Sequence, residues 1–242
     1  MSVGNGKRIC SPASKFDQIL DVKVYKGTQR SFLEAPEAVV AIRAMTRDQL
    51  HLGIVFRCEQ TGGKSTMIHL AWYRRLLSQE ADPEYTWVQP AFNVRRARQV
   101  AVYCSEVVLN NPMGIPYAFS NPDGALDERG TFGADRDHLG LTCASFVLAV
   151  FSAIGLPLVI VNSWPKGRDG DAEWQDSMVK KLEASRVPAA EIERIREEIG
   201  NERFRPEEVA AASGVSPHPA HFDAVAPYVE ELRNLLRDPE RA

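Results

Sequence analysis

The chain has 242 residues with ordinary globular usage, 44% hydrophobic and 25% charged, which excludes global disorder and allows a core of useful size. The formal net charge is −3, so no basic excess marks a nucleic-acid surface. Charge is uneven: residues 166–242 carry 12 basic and 17 acidic side chains, which sets an acidic tail apart from a slightly positive body.

Residues 1–15 are small and polar and predict a flexible N-terminus. The opening MSVGNGKRIC has no apolar stretch behind its positive charge, so it does not read as a secretory signal and a cytoplasmic protein is expected. Short strands are expected around Val22 and Phe32, and a buried strand over 38–45. The run HLGIVF (51–56) reads as a strand, 61–65 as a turn, TMIHLAW (66–72) as the returning strand and 85–88 as a further one. Residues 94–109 have helical periodicity, with Val94, Ala97, Ala101, Cys104 and Val108 on one stripe. A polar loop over 120–138 leads to a helix from Cys143 to about Ile154, and 156–161 reads as a strand. Residues 172–184, 188–199, 206–212 and 221–237 read as helices. Residues 16–165 are thus expected to form one α+β domain, an antiparallel sheet against a helix, and 166–242 a helical acidic extension that offers a surface for a protein partner.

No charged residue occurs from Leu139 to Pro165. Thr142, Ser145 and Asn162, with the break at Gly155-Leu156-Pro157, predict a buried helix there and no membrane span. Gly62-Gly63-Lys64-Ser65-Thr66 ends like a phosphate loop. The position that needs the first glycine is Cys58, however, and the residues that follow are strand-like, so a turn is expected.

Thiol chemistry needs a nucleophile, a base and a group that orients the base. The chain has Cys10, Cys58, Cys104 and Cys143 and no CxxC pair, so neither a metal site nor a cofactor is expected. Cys143 opens a helix behind a candidate N-cap, Thr142, where unpaired amides and the helix dipole lower a thiol pKa. The expected resting state is a thiolate paired with an imidazolium. Cys104 falls on an apolar helix stripe, where a thiol acts as a small hydrophobe. Among the five histidines, His51 and His69 sit on paired strands, a rigid platform, whereas His138 sits in the loop before the cysteine and His218 and His221 in a Pro-rich joint.

His51-Leu-Gly-Ile-Val, Met-Ile-His69-Leu-Ala and Thr-Cys143-Ala-Ser-Phe-Val, with the Pro-Tyr element at Gly114–Tyr117, resemble the circularly permuted branch of the NlpC-type papain-like hydrolases, which includes lecithin:retinol acyltransferase-like enzymes and bacterial permuted amidases. The resemblance spans about residues 38–160. It implies a papain-like fold and a thiol hydrolase acting on a peptide, isopeptide or peptidoglycan-type amide, with Cys143 as nucleophile, His51 as base and His69 orienting it. Tyr117, Trp72 and His138 are candidate substrate contacts. The same residues would suit a lipid acyltransferase or thioesterase, and an inactive papain-like interaction protein is a further alternative. A delivered effector, exported without a cleaved signal, would reconcile a wall-type substrate with the missing signal.

The reading makes one geometric demand. If Gly62-Gly63 closed a two-residue turn, His69 would face Phe56, about 17 Å along the strand from His51, and the two rings would lie on opposite faces. The pair can meet only if the loop over Arg57–Ser65 is wider and the register even.

Overall fold

Alternating and continuous apolar runs build a six-stranded antiparallel sheet. The computed structural model describes residues 22–46, 49–133 and 138–237; the segment expected to form the flexible N-terminus, 1–15, lies outside them. Strands β1 (Val24–Lys26), β2 (Ala38–Thr46), β3 (Gln49–Phe56), β4 (Thr66–Trp72), β5 (Arg75–Glu80) and β6 (Thr86–Val88) lie in the order β1-β6-β2-β3-β4-β5. Six α-helices follow: α1 (Val94–Asn110), α2 (Cys143–Ala153), α3 (Asp171–Ala184), α4 (Ala189–Glu197), α5 (Pro206–Gly214) and α6 (Phe222–Arg237). The architecture is α+β, as the sequence predicts.

Both faces of the central strands are apolar because both are covered. Ala38, Val40, Ile42, Leu52, Ile54, Ile68 and Leu70 face the main core, which α1, α2, α5 and α6 complete. Val39, Ala41, Val55, Met67 and Trp87 face the other side, under Phe32 and Tyr85. α2 is buried along nearly its whole length, so the uncharged stretch that contains it belongs to the core. Among the described residues no helix is long and apolar enough to cross a membrane.

The register meets the geometric demand. A 3-10 turn, Glu59–Thr61, widens the β3–β4 loop; Thr61 Oγ1 accepts from the Cys58 amide at 3.1 Å and Gly62 takes φ 60°. Ile54 therefore pairs with Ile68 and Phe56 with Thr66, an even register that puts His51 and His69 on one face. Pairing between β3 and β4 ends at Ile54–Ile68. β3 stays paired with β2 out to Gln49, and β4 with β5 out to Trp72. The sheet is thus split at one end, between the two histidine strands.

Three local expectations change. Phe32 lies in a 3-10 turn, where Ser31 Oγ caps Leu33. Residues 156–161 form no strand; they contribute one isolated bridge, Val159 with Ala220. Arg75–Glu80, unanticipated, is the edge strand β5, which a tight turn at Tyr73-Arg74 returns onto β4.

The composition change after residue 165 is not matched by a break in the core. Val209, Ala210, Ala211 and Ala212 of α5 lie in the same cluster as the sheet and α2. A second cluster packs Met178, Val179, Leu182, Ile192 and Ile195 of α3 and α4 on Tyr117, Ala118 and Phe119. Buried charge fastens the join: Glu208 accepts from Arg168 Nη1 at 2.5 Å, Trp164 Nε1 at 3.0 Å and the Arg205 amide at 3.1 Å. Removing one partner of such a pair strands the other in a low dielectric. Glu208→Ala is therefore expected to lower unfolding free energy by about 3–5 kcal/mol, measured by urea denaturation; a loss below about 1 kcal/mol would show that the join does not depend on this carboxylate.

Candidate active site

The nucleophile candidate is held from three sides. Thr142 caps α2: its hydroxyl accepts from the Ser145 amide at 3.1 Å, and Ser145 Oγ accepts from the Thr142 amide at 2.8 Å. Cys143 is thus the first helical residue, where backbone amides lack intrahelical partners. The chain leading into it presses on residues 116–118. Leu141 N–H donates to Pro116 O at 3.0 Å, and a Cβ on Gly140 would stand 2.4 Å from that same oxygen. Glycine is required there by close approach. Further back, Leu139 N–H donates to Ser120 Oγ at 3.0 Å, and Ser120 donates to Glu198 at 2.5 Å. The tail therefore buttresses the loop that carries the thiol.

The two histidines meet where the sheet splits. His51 Nε2 lies 2.6 Å from His69 Nδ1, with the rings edge to face and their centroids 4.8 Å apart. Gly53 makes the contact possible, since a Cβ there would stand 2.8 Å from His69 Cβ and 2.8 Å from Ile68 O. His69 is 6% exposed and its Nε2 is buried without a partner among the described residues, so the pair has no third member. The other nitrogen of His51, Nδ1, is free of the contact.

Cys143 and His51 line one cavity of about 110 Å3, together with Trp72 and Tyr117. Leu52 and Leu70 point to the α2 side and the histidines to the other, so the thiol and the imidazoles approach the split from opposite faces. Among the described residues the sulfur makes no hydrogen bond to an imidazole. Its neighbours are backbone amides, those of Leu52, Ala144 and Cys143 itself. Leu52 is released from β4 because strand pairing ends two residues away.

The environments favour neutral groups, which corrects the expected ion pair. Burial pushes the Cys143 thiol up to about 11, outweighing the three amides and the positive charge of Arg203, which all lower it. Burial, then the neighbouring His69, holds His51 down to about 4; burial, then Arg75, does the same for His69. Two neutral imidazoles can share one N–H between them, whereas two imidazoliums have no acceptor. The resting state is therefore a neutral thiol near a neutral imidazole pair.

The other expected residues divide. Trp72 donates through Nε1 to Ser185 Oγ at 3.1 Å and lies on Tyr117 with ring centroids 4.9 Å apart, so both form the cavity wall. Tyr117 is buried, which pushes its phenol up. His138 is a correction: its Nε2 bonds the Asp123 carbonyl at 2.9 Å, and it does not line the cavity. A loop histidine finds the nearest carbonyl unless a strand or helix aims it. Cys104 is buried in the core, and Cys58 Sγ lies 3.1 Å from Ser105 Oγ; neither reaches the site. The sequence did not reveal Trp174, Arg203, Glu207 and Arg233, which come from the tail and complete the wall. Their place is set by tertiary packing, and no local motif marks them.

No family model matches the chain, and no curated protein or solved structure matches it either.

Gly53→Ala is expected to force His69 away from His51 and to cost about 1–3 kcal/mol as an overpacked site. Urea denaturation measures the cost and imidazole NMR shifts the lost contact; an unchanged pair would show that the strands can yield. A second expectation concerns pH. Both histidines have folded values below the ordinary 6.5, so the unfolded chain binds more protons between about pH 6.5 and 4. Stability is then full above pH 6.5 and falls on acidification through that window, by on the order of 1–3 kcal/mol for each histidine. Denaturation of the His69→Asn protein should show a shallower slope there; an equal slope would place the linkage elsewhere.

Proposed function

We propose that the protein is a papain-like cysteine hydrolase of the permuted NlpC type, cleaving an amide through an acyl-enzyme on Cys143. The observation that carries this reading is the convergence on one cavity of a thiol at the first position of a helix and a strand imidazole, His51, that is itself hydrogen-bonded to His69. Three widely separated segments meet there, in the chain order that the resemblance implies.

In the proposed cycle His51 is neutral, with Nε2–H donating to His69 Nδ1, so that its Nδ1 faces the reacting groups as a base. Substrate entry draws the imidazole and thiol together, as catalytic contacts often tighten only in the complex. Sγ attacks the carbonyl carbon and its proton passes to Nδ1. The oxyanion is held by the Cys143 amide, with the Leu52 amide as the second donor. His51 then protonates the leaving nitrogen, the C–N bond breaks, and a thioester remains. Water attacks it with His51 as base, releases the acid and restores the thiol. His69 keeps the ring oriented by accepting the hydrogen bond from Nε2–H through its Nδ1 throughout, and so stays neutral.

The cavity size supports a compact substrate group. About 110 Å3 is well below the roughly 300–1,000 Å3 of pockets that enclose drug-sized ligands. It suits a short peptide side chain or a trimmed acyl group better than a lipid chain.

Activity-based profiling with electrophilic amide, ester and thioester probes tests the reading. Wild-type protein should label at Cys143, and Cys143→Ala should lose at least about a thousandfold in turnover of any hydrolysed probe. His51→Ala should lose a similar factor, because residues that act as a unit are not additive. Labelling that favours Cys58 or Cys104, or turnover that survives Cys143→Ala, would overturn the assignment and leave an interaction protein.

A further inference from the structure

One wall of the cavity carries charge that the proposed mechanism does not use. Arg203 lines it beside Cys143. Its side chain is 16% exposed, and its guanidinium lies 3.8 Å from the centre of the Trp174 ring. Nη1 donates to Asp171 Oδ1 at 3.1 Å. That is its one hydrogen bond among the described residues, and Nε is buried without any partner. A guanidinium has five N–H donors, so this one is held in place but largely unanswered.

Its surroundings explain why. Asp171 is shared: it also accepts from Arg168 Nε at 2.9 Å and from Arg205 Nη2 at 2.9 Å. Glu208 is taken by Arg168. Three half-buried guanidiniums thus share two carboxylates, and Arg203 is left with the fewest hydrogen bonds of the three. The next carboxylate, Glu207, lies on the cavity wall but is bound by Arg233 at 2.6 Å. Arg237 adds a further cation to the lining. A buried N–H without an acceptor is costly unless something answers it, and Arg203, with such an N–H, borders the cavity.

We infer that the cavity beside Cys143 is an anion-recognising subsite in which Arg203 receives a carboxylate carried by the substrate. The inference rests on the proposed thiol chemistry and narrows its substrate class to acidic acyl compounds, with the carboxylate a few bonds from the scissile carbonyl. Glu207 on the same wall repels a doubly charged phosphate more strongly than a carboxylate. The planar fork of the guanidinium suits two carboxylate oxygens. Trp174 beneath it fixes the plane.

Two small alkylating reagents of similar size, iodoacetate and iodoacetamide, test this at mildly alkaline pH. They consume the same thiolate, so the ratio of their rates at Cys143 cancels any change in thiolate population. Relative to the ratio on free N-acetylcysteine, the wild type should favour iodoacetate by about tenfold or more. Arg203→Gln should abolish the preference while iodoacetamide labelling persists, and Arg203→Lys should retain part of it. A wild-type ratio equal to that of the free thiol, or a preference that survives Arg203→Gln, would overturn the subsite. So would an equal slowing of both reagents in Arg203→Gln, which would mean that Arg203 acts on the sulfur alone.

A second measurement does not use the thiol and separates this inference from the hydrolase reading. In the Cys143→Ala protein, glutarate should raise the Tm by linkage, and the added Arg203→Gln change should remove the rise. Stabilisation by inorganic phosphate but not glutarate would overturn the carboxylate assignment, as would no response to either. If glutarate binds while Cys143 proves unreactive in the wild type, the subsite stands and the hydrolase reading falls.

Discussion

The site exists because two strands stop pairing while each remains anchored on its outer side. β3 keeps β2 and β4 keeps β5, so the split costs few ladder bonds and neither strand frays. What the split exposes would be a liability in an ordinary sheet, since unpaired amides and carbonyls cost free energy when buried. Here they are put to use. The Leu52 amide faces the Cys143 sulfur, and the widening gives room for a cavity between strands that elsewhere lie in register. The even register of the Ile54–Ile68 pairing then brings His69 opposite the side-chain-free Gly53. The 2.6 Å imidazole contact follows from that register and that glycine together.

Electrostatically the cavity sets neutral groups inside a charged frame. The thiol and both imidazoles are pressed toward their uncharged forms by burial, so no ion pair is stored at rest. The positive charge lies instead on Arg203, held by Asp171 and Trp174. This division has a chemical consequence. A neutral thiol is a poor nucleophile, and in the proposed cycle forming the thiolate–imidazolium pair needs outside support. A fixed guanidinium near the sulfur supplies part of it. If the proposed anionic substrate binds there, it would screen that charge, so recognition and activation would draw on the same group.

Much of this was legible from residue order because its signals are local. Thr142 before Cys143 reads as a cap, and the polar run around Gly62-Gly63 reads as a turn; both hold. The need for an even register was deducible because a period-two strand has only two outcomes for a side chain. β5 was missed because Arg75–Glu80 is an edge strand facing solvent, with four of its six residues polar, so its pattern lacks a buried face. Leu156–Val161 was misread for the opposite reason: apolar residues fill the core without needing a sheet partner. His138 illustrates proximity without aim, since five residues from Cys143 is close in sequence, yet its Nε2 bonds the Asp123 carbonyl. Arg203 carried no signal at all, because its meaning depends on Asp171, Trp174 and a cavity wall assembled from distant segments.

The tail shows why composition alone divides a chain poorly. Residues 166–242 are acidic on balance, yet their buried charges are mostly paired and their small residues do structural work. Ala210, Ala211 and Ala212 let α5 lie close to the sheet, and a Cβ on Gly214 would stand 2.4 Å from Val22. That close seat fixes where α5 begins, and with it Arg205, Glu207 and Glu208 in the turn that faces Asp171 and the cavity. Arg203 is two residues earlier in the same approach. The position of the charged wall is therefore set by apolar packing against β2 and β6 as much as by the charges themselves, which explains how Arg203 can be held beside a thiol while sharing its one carboxylate, Asp171, with two other arginines.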